Sequence, residues 1–234
     1  KTQSGRPKSA RGLFQQSHIR MALRCRRPMD SIAEPTYHIE GTLRQLPLAD
    51  YMAEYFDPDR FFALCEHCPT YLTNWSCPPF AFDVREALER YRYAHILVHR
   101  VTPDEESWAA CQPTEVVDYC FRLMSTVRDR IDPLLYQLER QHAGSRLFTA
   151  GRCRLCQPQA CTRSAGDPCR HPDQMRSSLE SWGFDLSGTT ERLAGIPMVW
   201  GQEGHPPRYL TMVSALLSAD PIPAESFERL VVRY

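Results

Sequence analysis

Seven cysteines fall in two tight clusters, and their spacing is the strongest chemical signal in the chain. The later cluster reads Cys153-x2-Cys156-x4-Cys161-x7-Cys169, in a loop punctuated by Pro158, Gly166 and Pro168. The earlier one reads Cys65-x2-Cys68, then Cys77 inside Trp75-Ser76-Cys77-Pro78-Pro79-Phe80. Thiolates packed this closely repel one another unless a cation sits among them, so the pattern points to metal. Structural zinc usually takes two short knuckles, and only Cys153/Cys156 makes one in the later loop. Staggered ligands in one loop suit the wider footprint of a 4Fe-4S cluster, with zinc as the alternative. The earlier loop supplies three thiols and leaves a coordination position for Cys111, His67 or another histidine, water or a substrate. A closed site holds the fold or moves electrons; an open one acts as a Lewis acid or takes a sulfur atom.

Other chemistries are not written here. The spacing Cys-x3-Cys-x2-Cys of a radical S-adenosylmethionine enzyme is missing, as are a phosphate loop, a dinucleotide fingerprint and a Ser-His-Asp arrangement. A thioredoxin-like role for Cys65 and Cys68 leaves Cys77 and the neighbouring aromatics without a purpose. No catalytic residue can be assigned.

The remaining features near the loops have plainer uses. Trp75, Phe80 and Tyr71 serve either to shield a cluster or as ordinary core aromatics. His171 suits a helix cap better than a ligand. Arg170 and Arg176 suit ion pairs with carboxylates such as Glu180. Cys120 falls on an apolar helical stripe and reads as a core thiol. Cys25, in the basic N-terminal stretch, reads as an incidental free thiol.

At 234 residues the chain can bury a full core without disulfide staples, and the clustered cysteines argue for metal rather than five bridges. Formal net charge is zero, but the first 28 residues hold eight Lys or Arg and no carboxylate, so the rest is acidic. Residues 1–35 read as a basic, disordered extension and 36–234 as one metal-binding domain. An acidic body gives no case for nucleic acid, and no apolar run is long enough to span a membrane.

The loops must be held by elements legible in the pattern. Thr36 to Leu43 and Ala94 to Val101 read as strands. Leu48 to Phe56 and Pro58 to Leu64 read as short helices delivering Cys65, and Asp83 opens another. Pro113 to His142 carries Val116, Cys120, Leu123, Val127, Ile131, Leu134 and Leu138 at helical spacing, with Pro133 expected to kink or split it. Arg146 to Ala150 is a short strand. Pro172 starts a helix burying Met175, Leu179 and Trp182, and Gly183 stops it. Ile196 to Trp200 and Tyr209 to Leu217 read as two strands across a turn, with Val231 and Val232 closing the sheet. The expected class is α/β or α+β: a mixed sheet with flanking helices and two cysteine-rich metal-binding loops.

At Cys65-Glu-His-Cys68-Pro-Thr-Tyr71, Trp75-Ser-Cys77-Pro-Pro-Phe80, the four-cysteine run through Arg170-His-Pro172, and Arg176-Ser-Ser-Leu-Glu180-Ser-Trp-Gly183, the chain resembles a known family. This is the cysteine-rich family of bacterial and archaeal domains of unknown function described as predicted metal-binding proteins. The resemblance runs from Tyr37 to the end and leaves out the basic tail. It implies metal binding, with iron–sulfur foremost, in the cytoplasm, and it attaches no reaction. The functional expectation is therefore an iron–sulfur protein with one or two 4Fe-4S clusters, doing redox or sulfur-transfer chemistry. Its partner would be an electron donor or acceptor protein or a small-molecule substrate. The alternative is a zinc-stabilised, non-enzymatic binding module or a metallochaperone.

Overall fold

The computed structural model describes residues 36–202 and 204–231. The expectations for the basic segment 1–35, for Cys25 and for Val232 lie outside them.

Four strands form one sheet in the order β1-β2-β4-β3: β1 is Tyr37–Pro47, β2 Tyr93–Pro103, β3 Arg146–Phe148 and β4 Leu210–Ser218. Side chains alternate faces along each strand, as the pleat requires. Leu97 and Val101 of β2 join Met212 and Leu216 of β4 on one face, while Ile96 and Val98 join Val213, Ala215 and Leu217 on the other. Both faces are covered, which is why β2 and β4 are apolar almost throughout. The long helix α5, Val116–Gln141, covers the first face through Leu123, Val127, Ile131, Leu135 and Leu138. The second face is covered by α1 (Leu48–Tyr55), α3 (Val84–Leu88) and the segment bearing Leu179, Trp182 and Phe184. Between α1 and α3 lies α2, Pro58–Cys65, and between β2 and α5 lies the short α4, Glu105–Ala109. Among the described residues no helix is long and apolar enough to cross a membrane.

Of the two classes left open by the sequence, the chain adopts α+β. The sheet is antiparallel throughout rather than mixed: β1 pairs antiparallel with β2, and β2 and β3 each pair antiparallel with β4. Pro47 pairs with Tyr93, and Leu48 N–H bonds Arg92 O at 2.7 Å, so the excursion carrying Cys65, Cys68 and Cys77 opens and closes at one sheet end. The second excursion leaves β3 at Phe148, opposite Ala215, which also pairs with Ile96. That is three residues, or about 10 Å, from the same end. Long-range hydrogen bonds joining Asn74 and Ser76 to the Cys153 backbone bring the two cysteine loops together.

Three local expectations change. Pro133 does not split α5: Ile131 and Leu135 stay seated on the core on either side of it, and that packing outweighs the roughly 3 kcal/mol cost of an interior proline. Ile196 to Trp200 is not a strand, because both edges of β4 are already taken by β2 and β3. The helix expected from Pro172 to Trp182 shrinks to a 3-10 turn, Glu180–Trp182. Upstream of it, Ser177 O accepts from Thr149 N at 3.0 Å, which lays the segment beside the chain leaving β3.

Candidate metal centre

The first loop is a chain of turns hung from α2. Asp57 caps that helix by accepting from Arg60 N at 3.2 Å, and Pro58 occupies its first position, where a missing N–H does no harm. Cys65 is its last residue. Cys68 N bonds Cys65 O at 3.0 Å, Tyr71 N bonds Cys68 O at 2.9 Å, and Cys77 N bonds Asn74 O at 3.1 Å. The turns bring Cys65, Cys68 and Cys77 back towards one another. Burial pushes the Cys65 thiol up to about 11, with Cys77, Cys68 and Glu180 adding to the rise. Burial also raises Cys77; the Ser76 hydroxyl opposes it, Glu180 and Cys68 add to it, and Arg163 offsets part.

The second loop gathers its own set. Cys153, Cys156 and Cys161 line a cavity of about 200 Å³ together with Thr73 and Asn74 of the first loop. Cys153 is raised by burial, then by Cys169, Cys156 and Cys161, so the other three thiols lie within electrostatic reach of Cys153. Two sulfurs already receive backbone donors from two residues ahead: Leu155 N–H points to Cys153, and His171 N bonds Cys169 Sγ at 3.4 Å. Such donors favour the thiolate, the form a metal takes. A 3-10 turn, Thr162–Ala165, is ended by Gly166 at φ 77° and turns Arg163 back to the first loop.

The two loops are strapped together. Asn74 Nδ2 donates to Cys153 O at 3.0 Å, and Cys153 N donates to Ser76 Oγ at 2.9 Å. Trp75 Nε1 donates to Asp167 O at 3.0 Å. The Arg163 guanidinium donates to Asn74 O at 2.8 Å, to Pro79 O at 2.9 Å and to Cys77 O, and stacks over Trp75. The seven thiols thus form two sets, three and four, in one hydrogen-bonded body.

All nine described cysteines are free. Among the described residues no three His, Cys, Asp or Glu side chains converge tightly enough to enclose a single ion. The donor set nonetheless fits a metal: mostly half-buried thiols, of which Cys65, Cys77 and Cys153 are raised by their neighbours, backbone N–H groups directed at sulfur, and a carboxylate oxygen, Glu180 Oε2, sealed from solvent without a hydrogen-bond partner. Each is a charge or acceptor that a cation would neutralise.

The other expected residues separate. Cys111 is buried in the α5-side core with Glu115 and Arg122 as its charged neighbours, and Cys120 packs against the same core. His67 turns its Nδ1 to Ala63 O at 2.9 Å. The His171 carbonyl accepts from Met175 N at 2.8 Å, closing a single turn, and Arg170 bonds Ala160 O at 3.1 Å. Trp75 serves as a strap, while Phe80 stacks on Phe82 with ring centres 5.0 Å apart. Arg176 pairs with Glu139 at 2.8 Å, not with Glu180, because the helix that would have set them at i,i+4 does not form. Sequence reasoning passed over Asn74 and Arg163, whose partners lie 79 and 89 residues away and leave no local signal. Glu180 was read only as a salt-bridge partner.

Residues 52–218 match the family model described as Predicted metal-binding protein (DUF2284). No curated protein and no solved structure matches the chain.

Proposed function

The chain belongs to this family of predicted metal-binding proteins, and we propose that it is an iron–sulfur protein. The four-cysteine loop, Cys153, Cys156, Cys161 and Cys169, would hold a 4Fe-4S cluster, and Cys65, Cys68 and Cys77 a second metal centre open to a substrate. One observation carries the reading: a loop with a single Cys-x2-Cys knuckle gathers four thiols and already directs backbone N–H groups at Cys153 and Cys169. Staggered ligands of this kind favour a cluster over a mononuclear ion, and N–H groups on sulfur tune its potential. When bound, the cluster supplies one-electron transfer. Arg163 and Asn74 hold the two loops in fixed relation, so the two centres would be kept at a constant separation. The reaction class is redox or sulfur transfer in the cytoplasm, with an electron-carrier protein or a small molecule as partner.

The deciding experiment measures iron, acid-labile sulfide and zinc per chain after anaerobic purification. About eight irons and eight sulfides support two clusters, and about four of each support one. Stoichiometric zinc without sulfide overturns the proposal in favour of a zinc-stabilised module.

A further inference from the structure

The three-cysteine set has a fourth neighbour from another part of the chain. Glu180 opens the 3-10 turn Glu180–Trp182, which packs on α2, the helix that ends in Cys65. Two features press the turn there. Asp57 N bonds Gly183 O at 2.9 Å, and Gly183 sits so close to Pro58 that a Cβ would meet its Cα at 2.5 Å. On its other side, Trp182 meets Phe80 and Phe82 of the segment following Cys77, with ring centres 6.2 and 5.4 Å apart. The carboxylate is thereby brought within electrostatic reach of both Cys65 and Cys77.

No cation satisfies it. Arg176 is engaged by Glu139. Arg128, the cation within electrostatic reach, is tied to Asp132 at 2.8 Å and to Arg152 O at 2.8 Å. The Ser178 hydroxyl supports the carboxylate, but Oε2 is sealed from solvent and has no partner. An acceptor buried in this way marks a missing donor or a missing ion. Within electrostatic reach of Cys65 and Cys77, an ion or cluster is what answers both the unpaired oxygen and the neighbouring sulfurs.

We infer that Glu180 is the fourth protein ligand of the three-cysteine site, binding through Oε2 the metal corner that Cys65, Cys68 and Cys77 leave uncovered. The inference rests on those three thiols being metal ligands. A cluster, unlike a single ion, would take these four groups on separate iron atoms. A carboxylate is a harder ligand than thiolate and holds iron less firmly. Glu180 would then be the weakest-held ligand of that site and the one a substrate would displace.

The test uses the full chain, reconstituted anaerobically with iron and sulfide, as wild type, E180Q, E180C and C77S. Iron and sulfide are counted per chain and the clusters followed by electron paramagnetic resonance after mild oxidation, with the four-cysteine centre as the internal control for folding. E180Q is expected to lose about one iron per chain and show a three-iron signal, while E180C keeps the full count with a shifted spectrum. If C77S loses metal but E180Q retains the wild-type count and signal, Glu180 is not a ligand. If E180Q does not fold, an E180C spectrum identical to wild type overturns the inference and a shifted one supports it. If C77S keeps all its metal, the three-cysteine site itself falls, whatever Glu180 does.

Discussion

Asn74 and Cys153 stand 79 residues apart and bind each other, the Asn74 amide donating to the Cys153 carbonyl at 3.0 Å. The bond is one of a closed set. Asn74 Oδ1 accepts from Ser76 N at 3.0 Å and from Ser76 Oγ at 2.9 Å, and Ser76 Oγ accepts from Cys153 N at 2.9 Å. Asn74 and Ser76 are both buried, so the set is shielded from water and its members reinforce one another. It makes two cysteine loops into one unit.

Asn74→Ala and Ser76→Ala should each destabilise the protein by about 1–3 kcal/mol, because each leaves buried partners unpaired. The double variant should cost less than the sum, since both remove the same network. Denaturant unfolding of the four proteins measures this, and strict additivity would refute it.

Arg163→Lys should loosen the loops nearly as much as Arg163→Ala. A lysine ammonium cannot span the carbonyls of Asn74, Cys77 and Pro79 while stacking on Trp75. Metal release to a chelator should be about tenfold faster in both variants, equivalent to about 1.4 kcal/mol in the release barrier. Wild-type release from the lysine variant would show that charge alone suffices.

Glu139 joins α5 to β3 and to the second loop: Oε1 accepts from Leu147 N at 2.8 Å and from Arg176 Nε at 2.8 Å. Glu139→Ala should cost about 3–5 kcal/mol by stranding a largely buried guanidinium and a strand N–H. Adding Arg176→Ala should restore part of it. Thermal unfolding of the single and double variants checks the order.

His95, 1% exposed, is satisfied as a neutral ring. Its Nδ1 meets Gln45 Nε2 at 2.9 Å, and its Nε2 meets Ser218 Oγ at 2.9 Å, whose own proton goes to Asp220 O. Nδ1 therefore accepts and Nε2 donates. Burial, aided by nearby His142, lowers it from 6.5 to about 4. The unfolded chain takes up this proton before the folded one does. Stability from this group is thus complete above pH 6.5 and falls as pH drops towards 4, by about 3 kcal/mol in all. Acid also protonates thiolates, so the comparison is with His95→Gln, whose stability should decline less steeply between pH 6.5 and 4.

Cys111→Ala and Cys120→Ala should leave the metal count unchanged and cost only about 1–2 kcal/mol for the lost packing. Cys153→Ser should lower the count. Metal analysis of the three variants separates core thiols from ligands, and a loss of metal in Cys111→Ala would reopen its candidacy.

What lay within a few residues was legible in the sequence. The continuous apolar run Ile96, Leu97 and Val98 marked β2, and the three-four spacing of Leu123, Val127, Ile131 and Leu138 marked the buried face of α5. Asp83 announced a helix start that it does cap. The two cysteine sets were visible because ligands on one loop must be close in sequence to be close in space. The failures were of another kind. The stretch Pro172 to Trp182 carries an acceptable helical pattern, yet Ser177 pairs with Thr149, and no local propensity competes with that contact once β3 is docked. Ile196 to Trp200 has strand character, but both edges of β4, the strand it would pair with, are taken by β2 and β3. The same tertiary decisions sent Arg176 to Glu139 and left Glu180 within electrostatic reach of Cys65 and Cys77. Local pattern determined which segments fold and where the thiols cluster. The meeting of the loops and the placing of Glu180 were decided by strand pairing and by which partners remained free, quantities that exist only in the assembled core.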